Sequence, residues 1–466
     1  MEIPFVGGAY SGRSKPLNAQ ECQNFYLEAD MQNGKKPLSL IGTPGMRLWL
    51  TSGIEGEVRA LYIWKSYLYA VIGSTLYKID TQGKPTNVGT IGTSTGGVWI
   101  AGGTTHLCIV DGIKGYYKIA SATSLTEITD ADFPTPTSLT YQDGYFIVTE
   151  EDTDAFYISG SEDASSWDAL EFASAEDTPD DALVGLSHKR ELWIFGEQTT
   201  EVFYNSGDSD FPFSRVAGGV FPMGIGAVRS VVSDSLGLLL LDDKYRVQFI
   251  SGYQWQIVST SQVEYHICSY SNKDGAIGYS YSQEGHTFYV LTFPGASKTW
   301  CYDLTTGVWS VRSSGLAGGR HRSNCHAWFA GKNLVGDMND GNIYEFDLGY
   351  YKDNADAIRR IRAAQAIHQD RKLLFHNQLE VEFEPGVGLA TGQGSDPQVM
   401  LDWSDDGAKT WSNEHWTTIG AIGEYQARAI WRRLGRSRSR TYRVTITDPV
   451  KCIILGAHID AQSGIA

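Results

Sequence analysis

The sequence lacks any apolar run long enough to cross a membrane as a helix. The longest, around Leu236–Leu241, falls far short of the roughly 18 residues a span needs. Met1-Glu2-Ile3-Pro4 also has neither the basic start nor the apolar core of a signal peptide, so the expectation is a soluble protein made in a cytoplasm. Cysteines in C-x-x-C spacing are missing. The six present, Cys22, Cys108, Cys268, Cys301, Cys325 and Cys452, are scattered, which favours reduced, buried thiols over disulfides or a zinc centre. There is no G-x-x-x-x-G-K-[ST] loop, G-x-S-x-G elbow or H-E-x-x-H helix. Nucleotide hydrolysis, α/β-hydrolase chemistry and zincin chemistry therefore have no local support.

Basic residues are also scarce, 38 Lys and Arg against 54 Asp and Glu, for a net charge of −16. The deficit lies in the front of the chain. From residue 351 onward 15 basic residues face 14 acidic ones, leaving 23 against 40 before it. A surface that acidic repels phosphates, so the front is not a nucleic-acid-gripping module.

Aromatic residues and glycine are plentiful: 13 Trp, 25 Tyr, 18 Phe and 51 Gly, a balance that favours strands and tight turns over helices. Against that background a two-strand phrase keeps returning. It reads LYAVIGSTLYKI from Leu68, HLCIVDGIKGYYKI from His106, GYFIVTEEDTDAFYIS from Gly144 and ELWIFGEQTTEVFYN from Glu191. It continues as GLLLLDDKYRVQFIS from Gly237, GHTFYVLTFPGASKTWCYDL from Gly285 and KNLVGDMNDGNIYEFDL from Lys332. Successive starts lie 38, 38, 47, 46, 48 and 47 residues apart. Spacing of about 40–50 residues, with room for two further strands per unit, is the arithmetic of a β-propeller blade. The alternative is a pair of irregular sandwiches with accidental spacing. The expectation is an all-β chain with about seven blades over residues 55–350; six stays open, because a terminal unit can be incomplete or closed by the N-terminal segment.

Residues 1–54, with Pro16, Pro37 and the Thr43-Pro44-Gly45 turn, read as an extended arm that needs something else to pack on. Beyond Tyr350 the pattern changes. Asp353–Arg371 fits either a short helix or an irregular strand, since Ile358, Ile361 and Ile367 match a helical face only loosely. LLFHNQLEVEFEP, PQVMLDWSDDG, ARAIWRRLGR and TYRVTITDPVKCIILGAHID then supply strands for a jelly-roll-like β-sandwich over residues 351–466.

Three stretches raise the question of chemistry. SDDGAKTW at Ser404–Trp411 resembles the Asp box of sialidase propellers, with Ala408 where the box has Gly; Ser161-Glu162-Asp163 with Trp167 is a second, shorter approximation. In such folds the box is a structural turn, and a glycosidase also needs two opposed carboxylates in a pocket. Asp242, Asp243, Asp337 and Asp340 fall at hairpin turns, where backbone geometry already favours Asp. His321, Cys325 and His326 form one metal-capable cluster without a second at matching spacing. No catalytic, cofactor or metal residues are therefore assigned, and no cofactor is expected.

The candidate interface is the acid-free run holding Arg428, Arg432, Arg433, Arg436, Arg438, Arg440 and Arg443. On an extended strand Arg436, Arg438 and Arg440 would share one face and suit an acidic partner, a neighbouring subunit rather than DNA. Replacing those three by Ser is expected to leave the monomer folded and impair assembly.

QNFYLEAD at Gln23 with its TPG turn, SSWDALEFASAEDTPD at Ser165, LWIFGEQTTEVFYNSG at Leu192, and the C-terminal WSDDGAKTW and ARAIWRRLGRSRSRTYRVTITDPV together resemble the tail nozzle proteins of short-tailed bacteriophages, also called packaged-DNA stabilisation proteins. The resemblance spans nearly the whole chain. It implies a structural subunit of the virion tail, not an enzyme, that assembles in the host cytoplasm as a homo-hexamer below the portal-adaptor ring. Such a ring closes the DNA exit channel, retains the packaged genome, carries a plug or needle and spike or fibre proteins, and lets double-stranded DNA pass without specific binding. The competing readings are a glycan-binding or glycoside-hydrolysing propeller, marked by a carboxylate pair with an Arg cluster in one pocket, and an isolated host-side interaction propeller, marked by a stable monomer.

Overall fold

The structure is a computed structural model that describes residues 1–30, 36–175, 180–209 and 211–464; part of the Ser165 stretch, residues 176–179, lies outside the described residues. The recurring phrases are the second and third strands of successive four-stranded antiparallel sheets. Six sheets each use four consecutive strands: blade 1 from Val58–Trp64 to Pro85–Thr90, blade 2 from Trp99–Gly102 to Thr126–Glu127, and blade 3 from Pro136–Gln142 to Asp163–Ser174. Blade 4 runs from Ala182–His188 to Phe213–Phe221, blade 5 from Val232–Ser233 to Gln254–Ile257, and blade 6 from Ile277–Gln283 to Val308–Arg312. A seventh sheet is composite. Ser323–Phe329, Lys332–Asp337 and Ile343–Asp347 take their fourth strand from the N-terminal segment, Gly45–Leu50.

The second strand of each blade is buried on both faces, as in Tyr67–Ile72 and Leu238–Leu241, because a neighbouring blade packs on either side. This explains why the phrases read as continuous apolar runs rather than alternating ones. Two-residue turns enter several of them with both residues left-handed, as at Asp143-Gly144 (φ 49° and 100°) and Glu284-Gly285 (φ 47° and 86°), the geometry that matches strand twist in a tight hairpin. Apolar clusters then alternate with the blades around the ring. Trp193, for example, stacks on Phe195 and Phe221 in a cluster that also takes Leu238 and Leu240 of blade 5.

The C-terminal region is a β-sandwich. One sheet runs Phe25–Ala29, Leu38–Gly42, Ile453–Ser463, Leu374–Phe383, Ala429–Arg432, with Glu2–Ile3 and Arg436–Ser437 at its margins. The facing sheet runs Glu21–Gln23, Arg360–Ala363, Ser439–Ile446, Gln398–Ser404, His415–Thr418, and Glu21–Gln23 also pairs with the outer strand of blade 6, giving one ten-stranded sheet across both domains. Asp353–Arg371 takes the strand alternative, at Asp356–Ala357, Arg360–Ala363 and Ile367–His368. Among the described residues the one α-helix is Ser261–Cys268.

The first fifty residues are thus shared out. They complete the sandwich with Phe25–Ala29 and Leu38–Gly42, and the propeller with Gly45–Leu50. Fully buried Arg362 anchors the segment before them by donating to Phe5 O at 2.7 Å. Left-handed Asn24 (φ 56°) locks the junction, its side chain donating to Ser313 O at 3.0 Å and Arg359 O at 2.8 Å while its Oδ1 accepts from Ser313 N at 3.0 Å.

Candidate functional surfaces

The inner strands of all seven sheets line an axial cavity of about 660 Å³. Its lining includes Arg59, Arg229, Trp99 and Trp328, and Asp234 is the one carboxylate among its described lining residues. Glycoside hydrolysis needs a pair of carboxylates across the scissile bond, and the cavity does not offer one.

The Asp-box-like segment is a closed turn. Asp406 accepts from Lys409 N (2.9 Å), Thr410 N (3.0 Å) and Thr410 Oγ1 (2.6 Å), while Ser404 Oγ accepts from Ala408 N (2.8 Å). These bonds, led by the Thr410 hydroxyl, hold the Asp406 carboxyl well below the usual range and spend its lone pairs on the turn itself. Ala408 sits at φ 61°, the left-handed place that Gly takes in the box. Asp163 is likewise used locally, accepting from Ser165 N and Oγ at 2.9 and 2.6 Å. Asp242 accepts from Lys244 N, Arg246 N and Gln248 Nε2, and Asp337 from Asn339 N and Arg322 Nε.

His321, Cys325 and His326 do not converge. His321 Nδ1 bonds Ser323 Oγ at 2.7 Å, and burial beside Arg312, Arg320 and Arg322 pushes its pKa down to about 3. The Cys325 thiol donates to Val58 O at 3.5 Å and is pushed up to about 12 by burial; His326 bonds Asn333 Oδ1 at 2.9 Å and is pushed down to about 4, also by burial. Among the described residues no three or more His, Cys, Asp or Glu side chains are grouped as metal ligands.

The arginine run divides into two sets, and the one-sided ladder expected for Arg436, Arg438 and Arg440 does not form. The chain crosses from one sandwich sheet to the other between Ser437 and Ser439, which breaks the period of two. Arg440 turns inward, 2% exposed. It donates to both Asp405 oxygens at 2.6 and 2.7 Å, and its guanidinium lies 4.9 Å from the Trp403 ring centroid. Arg443 pairs with Asp402 (Nε to Oδ1, 3.0 Å) and stacks 3.8 Å over Trp411. Arg428 is exposed but pairs with Glu380 (Nε to Oε1, 2.7 Å). Sequence-remote Asp402 and Asp405 of the DWSDD segment are the partners the sequence reading missed, and their position in and just after a strand beside the arginine strand was the available signal.

The remaining set stays outward. Arg432, opposite Gln378, and Arg436, opposite Phe375, share the outer face of the sheet, and Arg433 and Arg438 are exposed beside them. Arg371 and Lys372, not singled out from sequence, join this patch: both are exposed, and Arg438 Nη1 donates to Arg371 O. Accordingly Arg440→Ser should destabilise the sandwich by about 2 kcal/mol, because it removes a buried side chain that bonds Asp405 and stacks on Trp403. Arg436→Ser and Arg438→Ser should stay within about 0.5 kcal/mol of the parent; thermal melts of the three variants check this.

Fold and surfaces together define a scaffold, a propeller fused to a sandwich and bearing one open basic face. Family models described as "Bacteriophage P22 Gp10, beta-propeller" and "Bacteriophage P22 Gp10, beta-sandwich" match residues 1–350 and 359–462. The chain belongs to this Gp10 family and is a phage structural protein of the virion tail. No curated protein matches it. Among solved structures it is similar to YCF48 from Cyanidioschyzon merolae (10% identity, TM-score 0.42, covering 65% of this chain and 98% of that one). It is also similar to the N-terminal domain of Nup159 (12%, 0.40, 70% and 99%) and to the computationally designed Ika8 protein (12%, 0.39, 71% and 100%). No helix among the described residues is long and apolar enough to cross a membrane.

Proposed function

We propose that six copies of this chain form the nozzle ring of a short-tailed phage, seated below the portal-adaptor complex, where the ring closes the DNA exit channel, retains the packaged genome and carries the plug and spike or fibre proteins. The observation that carries this reading is the Gp10 match across both domains. Two physical features support it. The ten-stranded sheet that runs from blade 6 into the sandwich, with the N-terminal segment threaded through both, makes one stiff body suited to holding a channel against internal pressure. Charge supports it as well. Six chains at −16 carry −96; with that charge turned toward the channel, passing DNA gains no counterion release and is not held.

Genome retention is directly testable. Particles assembled without this chain should package DNA and then lose it, and adding back the purified protein before the loss should restore full heads, scored by density-gradient banding. Particles that keep their DNA in its absence would remove the retention role.

A further inference from the structure

The chain carries its two charge extremes on opposite sides of the propeller. Residues 119–188 contain sixteen Asp and Glu and no Lys or Arg; the described part of this stretch runs from the outer strand of blade 2 through blade 3 to the inner strand of blade 4. The outer strand of blade 3, Asp163–Ser174, exposes Asp168 together with two apolar side chains, Leu170 at 82% and Phe172 at 43%. Glu151 and Asp152 are exposed at the turn between its second and third strands. The sandwich joins the propeller at blades 6 and 7, through Glu21–Gln23 and Gly45–Leu50. In a ring of seven, blade 3 stands three places from each, as far away as a blade can be. The outward arginines of the sandwich therefore cannot reach blade 3 of their own chain. They too surround an exposed apolar side chain, Phe375, 42% exposed and directly opposite Arg436. Acids on this face have partners within it: Asp460 accepts from Asn377 at 3.3 Å, and Glu380 accepts from Arg428 Nε at 2.7 Å.

We infer that these two faces dock copy to copy: the basic sandwich face of one chain, with Arg432, Arg436 and Arg438, against the acidic outer edge of blade 3 in the next. Guanidinium groups pair with carboxylates in directional bidentate contacts. Phe375, Leu170 and Phe172 supply the apolar centre that an interface needs within a charged rim. Two different faces on one rigid body make a heterologous contact, the kind that closes into a ring. The inference rests on the ring reading above and names the surfaces that build it.

Two variants test it, one with Arg432→Glu, Arg436→Glu and Arg438→Glu, the other with Glu151→Lys, Asp168→Lys and Glu171→Lys, each checked for folding by its melt. Alone, on the phage's own portal-adaptor complex, each should assemble at least about tenfold less than the parent, because like charges then face each other at every contact. Mixed, they should assemble again, and only in strict alternation, which native mass spectrometry reads directly when one variant is isotope-labelled. Parent assembly should also fall about tenfold between about 0.05 and 0.5 M salt. Rings formed by either variant alone, random composition in the mixture, failure of the mixture to assemble, or salt-independent assembly would each overturn the docking while leaving the ring reading intact if the parent forms rings. A parent that forms no ring on the complex would overturn both.

Discussion

Gly45→Val should open the propeller. Gly45 begins the N-terminal strand that completes the seventh blade, opposite Asp347, and its N–H donates to Tyr350 O at 2.9 Å. A Cβ there would lie 2.2 Å from Tyr350 O and 2.5 Å from Lys352 O. Both are backbone atoms in the link between propeller and sandwich, so no rotamer change relieves the clash. The strand must move, and with it Met46 and Leu50, 1% and 4% exposed. Overpacking costs about 1–3 kcal/mol, and unburying two such side chains about 2 kcal/mol each. The total is on the order of 5 kcal/mol, a large share of the stability of a typical domain. Calorimetry should show the single transition split, with a low-temperature step for the opened seventh blade. Leu48→Ala, on the same strand at an exposed position (43%), should change little. A Gly45→Val protein that melts like its parent would contradict closure of the ring by the N-terminal strand.

The second large effect is a loss of stability in mild alkali. His286 at the start of the second strand of blade 6 bonds Asp303 Oδ2 through Nδ1 at 2.8 Å and Glu28 Oε2, in the sandwich, through Nε2 at 2.7 Å. Only the charged imidazolium donates to both, and the Asp303 bond first, then the Glu28 bond, outweigh burial and raise its pKa to about 9. A histidine whose folded pKa exceeds its unfolded value of about 6.5 adds stability in full below that value and loses it as pH rises through the folded pKa. The shift corresponds to at most about 3 kcal/mol. Asp353, raised to about 7 by burial, binds its proton more tightly when folded, so its share is lost between about pH 4 and 7. Cys108, Cys301, Cys325 and Cys452, whose thiols burial pushes up, add their own loss above about pH 8, so the histidine's share between about pH 7 and 9.5 is the difference between the melts of parent and His286→Gln. The melting temperature should fall across that window, and His286→Gln should start lower and fall less steeply than the parent. An equal fall in His286→Gln would assign the effect elsewhere.

Much of the propeller was legible because its repeat is physical. Each phrase from Leu68 to Lys332 is a strand pair buried on both faces, and burial imposes the same residue types in every blade. The N-terminal contribution was not legible, since a strand such as Gly45–Leu50 pairs with Ile343–Asp347, some three hundred residues away, and local sequence carries no mark of that partner. The same limit shaped the arginine run. Period-two reasoning places Arg436, Arg438 and Arg440 on one face only if the strand continues, and the crossing between sheets at Arg438 ended it. Charge composition then separated poorly into sites. The run without acids divides into arginines buried against Asp402 and Asp405 and arginines left outward, a distinction made by the opposing strand rather than by the run itself.

The measurement that bears most directly on this account is electron cryomicroscopy of the purified chain bound to the phage's portal-adaptor complex. The account predicts six copies related by six-fold symmetry around an acid-lined lumen, with the sandwich of each against blade 3 of the next. A monomer bound at the periphery, a ring of another order, or a lumen lined by the basic face would contradict it.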